Sequence, residues 1–305
     1  MRCVLFLICS VLIPSMAISD HADSFCSEWP SRNYFENASA KDVRKCLGEG
    51  ASIASRDDDG RTPLHWAAAV SDDVAVLAEL LAAGADLSLV DLDGYRAIHV
   101  AAAEATNPTV ISYLVALGSD AEAEVSGRRG RCPWSVRRCA DVPLHLAAAR
   151  ADAVHYVAPL LAAGVNVDAR NQEGQTALHL AVKNATDEVT VNLLVSAGAS
   201  VDIVDLEGRA PLHLATRQCD TAMKIIPSLL SAGASPDQRG KDGASPLMWG
   251  ARFACHSGIV MLLMQASDSP CMSDDRERTV LDQWAINDQL VRDDVYWALH
   301  DWCVN

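Results

Sequence analysis

Thr62-Pro63-Leu64-His65-Trp66-Ala67 is a short stretch that recurs along this chain in near copies. The other copies are Arg96-Ala97-Ile98-His99-Val100-Ala101, Val142-Pro143-Leu144-His145-Leu146-Ala147, Thr176-Ala177-Leu178-His179-Leu180-Ala181, Ala210-Pro211-Leu212-His213-Leu214-Ala215 and the partial Ser245-Pro246-Leu247-Met248. Consecutive histidines lie 34 residues apart, except that 46 residues, or 34 plus an insertion of 12, separate His99 from His145. Such a period is the signature of a repeat protein, in which one small unit is stacked many times.

Two further landmarks keep the same phase. The first is a glycine 19 or 20 residues after each histidine, at Gly84, Gly118, Gly164, Gly198 and Gly233. The second is an acidic residue followed by glycine, at Asp59-Gly60, Asp93-Gly94, Glu173-Gly174, Glu207-Gly208 and Asp242-Gly243. The first glycine ends a helix in the left-handed conformation, and the acidic-Gly step predicts a turn.

The residues of one period predict a pair of helices. Thr62 caps a first helix, and Pro63 suits its first turn because that position needs no amide donor. The alanine-rich run after the histidine predicts a thin helix that lets its neighbours approach closely. A second helix follows with helical apolar spacing, as in Val74, Val76, Leu77, Leu80 and Leu81.

This pattern resembles the ankyrin repeat, whose signature is Thr-Pro-Leu-His-x-Ala. The resemblance covers about residues 34–277 and implies an all-α solenoid of six to seven repeats. We also predict that disulfides stabilise the end caps of this solenoid. We predict a signal peptide at 1–19, an N-terminal cap with a degenerate repeat at 20–60, repeats at 61–277 with an insertion at about 126–139, and a C-terminal helical cap at 278–305. In that cap, Trp284, Trp297 and Trp302 either pack into the core or form an aromatic binding cluster.

The composition of the chain excludes some structural and functional classes. Half of the 305 residues are apolar, which excludes an intrinsically disordered chain. The net charge of −15 repels phosphate backbones, so we expect no nucleic-acid partner. The acidity serves either solubility or the attraction of a basic partner.

The first residues read as an export signal. Arg2 is followed by the apolar run Val4 to Ile13, then by Pro14 and the small residues of Ser15-Met16-Ala17. The run is shorter than the ~20 residues that span a bilayer, so we expect cleavage and no membrane association afterwards. The sequence around Asp59-Gly60-Arg61-Thr62 is also similar to exported proteobacterial ankyrin proteins, which implies a periplasmic or extracellular location.

The cysteine content predicts disulfides. Removal of the signal takes away Cys3 and Cys9, and the even number left in an exported chain favours pairing. Locality suggests the pairs Cys26–Cys46, Cys132–Cys139, Cys219–Cys255 and Cys271–Cys303. The alternative is that these cysteines are reduced and buried as small apolar residues.

The insertion is the feature that most distinguishes this chain from a plain repeat. It contains Arg128, Arg129, Arg131, Trp134, Arg137 and Arg138 between or beside Cys132 and Cys139. Arginine and tryptophan are enriched at binding hot spots, so the segment predicts an extended finger that contacts a partner. A solvated loop without a binding role is the alternative.

Histidines invite a metal or catalytic interpretation, which the repeat excludes. Equivalent residues of stacked helices lie about 10 Å apart, whereas zinc needs its ligands within about 2.1 Å of one ion. The resemblance implies instead that His65, His99, His145, His179 and His213 are structural. Sequence motifs of common enzymes are absent, so we predict no catalytic, cofactor-binding or metal-binding residues.

We therefore predict a non-catalytic scaffold, monomeric and without cofactors, that binds a protein partner of unknown identity. Besides the finger, the candidate contacts are Leu92, Tyr95 and Leu206, which lie in predicted hairpin tips. The alternatives are a secreted effector that acts on a host or competitor cell, and a redox or hydrolytic enzyme.

Overall fold

The structure is a computed structural model that describes residues 25–126, 140–184 and 188–304. Within these ranges the chain forms one short 3-10 helix at Phe25–Glu28 and sixteen α-helices. The helices are α1 Arg32–Asn37, α2 Ala40–Gly48, α3 Pro63–Val70, α4 Val74–Ala82, α5 Ala97–Glu104, α6 Thr109–Ala116, α7 Pro143–Ala148, α8 Val154–Ala162, α9 Ala177–Asn184, α10 Val189–Ser196, α11 Pro211–Ala215, α12 Ala222–Ser231, α13 Pro246–Phe253, α14 Ser257–Ala266, α15 Val280–Ile286 and α16 Asp294–Val304.

The helices stack in two rows. The odd-numbered helices α1 to α15 each contact the next odd-numbered helix, and the even-numbered helices α2 to α16 do the same. Each odd helix and the even helix after it form a pair, so the described residues hold eight pairs. The predicted all-α repeat architecture is confirmed.

The core is a continuous layer between the two rows. In the first row it is built mainly from small residues, such as Ala67, Ala101 and Ala147, which are fully buried. In the second row it is built from larger residues such as Leu80 and Ile225. Burial of one such large side chain contributes about 1.5–3 kcal/mol.

The second helices end as the glycine landmark predicts. After α4, the amide of Gly84 donates to the carbonyl of Leu81, and the amide of Ala85 donates to that of Leu80, both at 3.0 Å. This is a Schellman motif, which requires a left-handed residue, and Gly84 has a φ of +92°.

Hairpin tips connect successive pairs and are held by one repeated side chain. An Asx oxygen accepts the backbone N–H groups two and four residues further on, at 2.8–3.0 Å, in the tips that begin at Asp57, Asp91, Asn171, Asp205 and Asp274. Neighbouring tips are then joined through the backbone. The amide of Leu92 donates to the carbonyl of Asp59 at 2.9 Å, and the amide of Leu206 to that of Glu173 at 3.0 Å.

The C-terminal region repeats the same plan. Thr279 caps α15 in a capping box with Asp282, and it lies 34 residues after Ser245, which caps α13. Glu277 stands where the other tips have glycine and has a φ of +61°. The residues that we expected to form a separate helical cap are therefore an eighth helix pair that has lost its glycine and histidine.

Three of the four predicted cysteine pairs lie at disulfide distance. The Cα atoms are 5.4 Å apart in Cys26–Cys46, 5.5 Å in Cys219–Cys255 and 5.2 Å in Cys271–Cys303. The first pair joins the 3-10 helix to α2, and the other two join neighbouring helix pairs. The predicted Cys132–Cys139 pair lies outside the described residues, as does the predicted signal peptide.

Gly208→Ala is expected to destabilise the chain more than Gly198→Ala. Both glycines have positive φ, at +76° and +91°, and an alanine in either place costs about 1 kcal/mol or more. A Cβ at Gly208 would also overlap the backbone of Lys241 in the next tip, whereas a Cβ at Gly198 meets open space. We expect an additional loss of about 1–3 kcal/mol for Gly208→Ala, measured by urea unfolding. Equal losses would contradict the close packing of adjacent tips.

Candidate functional site

The five repeat histidines bridge consecutive helix pairs. The Nδ1 atoms of His65, His99, His145, His179 and His213 each accept the N–H of the residue three positions earlier, at 3.0–3.2 Å. Their Nε2 atoms donate to carbonyls that follow in the chain, those of Tyr95, Ala123, Gln175, Arg209 and Ala244, at 2.7–3.2 Å. Each ring therefore caps the N-terminus of its own helix and links that helix by a hydrogen bond to the segment that follows.

These bonds determine the protonation state. A backbone N–H only donates, so Nδ1 carries no proton, and a carbonyl only accepts, so Nε2 carries one. Burial disfavours the charged ring and lowers the pKa of His65, His99, His145 and His213 to about 4. The bond to the carbonyl raises the pKa, but its effect is smaller than that of burial. Burial likewise lowers the pKa of His179. The rings are neutral at pH 7, and both nitrogens of each are already bonded, so neither is available as a metal ligand or a general base.

Metal-binding and membrane-spanning features are not found in the described ranges. No group of three or more His, Cys, Asp and Glu side chains there is placed to hold a metal ion. Among the helices of those ranges, none combines the length and the apolar character that crossing a bilayer requires.

The surface open to a partner consists of the outward sides of the odd-numbered helices together with the hairpin tips, and we call it the groove surface. Open pockets lie along it between neighbouring pairs. One of about 240 Å³ lies between α7 and α9 and is lined by Asp141, Glu173 and Leu180, among others. A second of about 320 Å³ lies between α9 and α11, next to Lys183 and Arg217.

The predicted tip contacts lie on this surface but also have structural roles. Leu92 is 45% exposed and Leu206 is 66% exposed. A Cβ at Gly60 or Gly174 would lie 3.0 or 3.3 Å from the Cγ atoms of these leucines, so each leucine covers the glycine of the preceding tip. Tyr95 is half-buried, and its ring packs edge-on against His99.

Arg61, in the N-terminal half of the groove surface, is paired with a carboxylate and an aromatic ring. Arg61 makes two bonds to Glu104, at 2.6 and 3.0 Å, and stacks over the ring of Trp66 with its guanidinium carbon 4.7 Å from the centroid. The indole N–H of Trp66 donates to Asp57 at 2.6 Å. The charges of Arg61 and Glu104 are therefore balanced within this part of the groove surface.

One position changes character between the two halves, and the sequence analysis missed it. It is the fourth residue after the histidine, or after the residue in its place. The first four pairs have Ala38, Ala69, Ala103 and Ala149 there, the next three have Lys183, Arg217 and Arg252, and the last has Ile286. Only the structure shows that Lys183, Arg217 and Arg252 lie along one surface, whereas Ala38 and Ala69 are buried.

The aromatic residues of the last pair divide between core and surface. Trp284 is buried, while Trp297 and Trp302 are 50% and 57% exposed on α16. The candidate finger residues Arg128, Arg129, Arg131, Trp134, Arg137 and Arg138 lie outside the described residues, so the structure does not bring them together with any other candidate.

Comparison with known proteins agrees with this geometry. A family model described as ankyrin repeats (3 copies) matches residues 35–125 and 144–239. The crystal structure of the human ASB11 ankyrin repeat domain is similar to this chain at 23% identity with a TM-score of 0.65, and the match covers 79% of this chain and 99% of that one. No curated protein matches the sequence. At that identity the solved structure establishes a shared fold and nothing about partners.

Mild acid is expected to destabilise the chain through the buried histidines. In the folded state the buried histidines stay neutral down to about pH 4. In the unfolded state the same histidines have a pKa of about 6.5 and bind protons at higher pH. The free energy of unfolding should therefore fall by about 1 kcal/mol per buried histidine between about pH 7 and 5.5. Urea midpoints at the two pH values measure this effect.

A pair of histidine variants controls the pH measurement. His145→Gln removes one buried ring and should reduce the pH-dependent loss by about one histidine's share. His155→Gln makes the same substitution at an exposed histidine on α8 and controls for the change of side chain itself. A urea midpoint that is the same at both pH values would contradict the buried neutral rings.

Proposed function

Because this chain belongs to the ankyrin repeat family, we propose that it is a non-catalytic scaffold that binds a protein partner in the periplasm or outside the cell. Ankyrin repeats indicate a protein-interaction scaffold and imply protein partners. The observation that carries the proposal is the groove surface, where side chains of successive pairs are exposed in register. The repeat histidines are occupied in joining the pairs, which speaks against a chemical role for them.

Export is the second part of the proposal. The run from Arg2 through Ala17 has the composition of a cleaved signal, and three cysteine pairs at disulfide distance suit an oxidising compartment. We propose that the mature protein is monomeric, carries four disulfides and binds no nucleic acid.

The mature protein is expected to lack residues 1–19 and to contain no free thiol. Intact-mass measurement of the exported chain should give the mass of the remaining residues minus eight hydrogens, one pair for each disulfide. Free thiols in the native mature protein would contradict the pairing and would reopen the redox alternative. Recovery from the culture supernatant, and not from the periplasm, would favour the effector alternative.

The finger proposal is tested by deletion. We propose that Arg128, Arg129, Arg131, Trp134, Arg137 and Arg138 contact the partner, as do Leu92, Tyr95 and Leu206. A pull-down with the mature chain should capture a partner that a variant lacking residues 127–139 captures less well. A Leu206→Ala variant serves as a smaller perturbation of the groove surface. Equal capture by the deletion variant and the intact chain would remove the finger from the binding surface.

A further inference from the structure

We propose that the groove surface of α9, α11 and α13 binds a short acidic segment of the partner protein. The basic groove, as we name it, consists of Lys183, Arg217 and Arg252 with the aromatic rings of Trp249 and Phe253. The inference rests on the proposed scaffold function and adds the chemistry of the partner.

Three consecutive helix pairs place a basic residue at the same position of the groove surface. Lys183, Arg217 and Arg252 lie 34 and 35 residues apart, one on each of three consecutive first helices. Four earlier pairs have alanine at the same position, so a helix pair of this chain does not need a cation there to fold. In a chain of net charge −15, three successive cations on one surface form a local exception.

These three cations form no ion pair with a carboxylate among the described residues. Other arginines of the groove surface are paired, as Arg61 is with Glu104 and Arg209 is with both Asp205 and Glu207. Arg217 and Arg252 contact instead the ring of Phe253, and each guanidinium carbon lies 5.1 Å from its centroid. A stacked guanidinium keeps its N–H donors free and pre-oriented for a carboxylate.

The basic groove also offers apolar surface beside the three cations. Phe253 is 36% exposed and Trp249 is half-buried, with their ring centroids 5.2 Å apart. Leu214 lines the pocket that holds Lys183 and Arg217. An acidic peptide with apolar residues between its carboxylates would satisfy both kinds of contact.

The surrounding carboxylates favour a short acidic peptide over a nucleic acid. Glu173 borders the pocket at the α7 side of the groove, and Asp242 borders the pocket beside Trp249. A long polyanion would be repelled there and by the acidic chain as a whole. Three pairs spaced by about 10 Å span about 20–30 Å, which matches roughly eight residues of extended peptide at about 3.3 Å each.

Fluorescence anisotropy with the mature full chain tests the inference. The probes are a labelled Glu-Glu-Leu-Glu-Glu-Leu-Glu-Glu peptide, the same peptide with Gln for every Glu, and a single-stranded oligonucleotide of similar length. We expect the acidic peptide to bind, to weaken as salt is added, and to bind at least about tenfold more weakly to the double variant Arg217→Glu and Arg252→Glu. Both residues lie at the surface, and urea midpoints verify that the variant is folded.

Lys41→Glu with Lys224→Glu is the matched control, because it changes the net charge equally on the second helices α2 and α12. Binding of the acidic peptide should be nearly unchanged in this variant. The inference is overturned if the acidic peptide does not bind, if both double variants weaken it equally, or if the Gln peptide or the oligonucleotide binds as tightly. None of these results affects the scaffold proposal, which fails separately if the pull-down captures no partner specifically.

Discussion

A single helix pair leaves an apolar flank that only the next pair covers, and every other feature of this chain follows from that constraint. The buried residues form one layer from Tyr34 in α1 to Leu299 in α16, with no separate centre. Buried histidines set the spacing and direction of the stack, because each ring joins the start of its helix to the following segment. The hairpin tips extend the same coupling through backbone bonds and through leucines that cover the preceding glycine.

The same constraint separates the residues that hold the stack from those that are available for binding. Alanine, leucine and histidine occupy the inward positions of each pair. The residue types at these positions differ little from pair to pair. The fourth residue after the histidine changes its role along the stack. Ala38 and Ala69 are buried at this position, whereas Lys183 and Arg217 are exposed there. Variation at such positions gives a scaffold its specificity without altering its core.

Both ends of the stack depart from the repeat. The N-terminal pair has Tyr34 where later pairs have histidine, and its hydroxyl bonds to the sulfur of Cys46. The C-terminal pair keeps the Asp274 turn and the Thr279 cap but has Asp282 in the histidine position. Paired cysteines at both ends tie these segments to their neighbours.

The repeat, the helix pairs and their caps can be read from the sequence because they depend on local chemistry: proline in a first turn, glycine at positive φ, aspartate folding a tip. Three of the local cysteine pairs were also predicted from the sequence, since residues in neighbouring turns of a regular stack lie close in space. Other features depend on which side chains become neighbours only after stacking. The packing of the pairs determines that Trp284 is buried while Trp297 is exposed. It also determines that Lys183, Arg217 and Arg252 lie on one face. Residues 34 or 35 positions apart share a surface only because the stacked repeats place equivalent positions side by side.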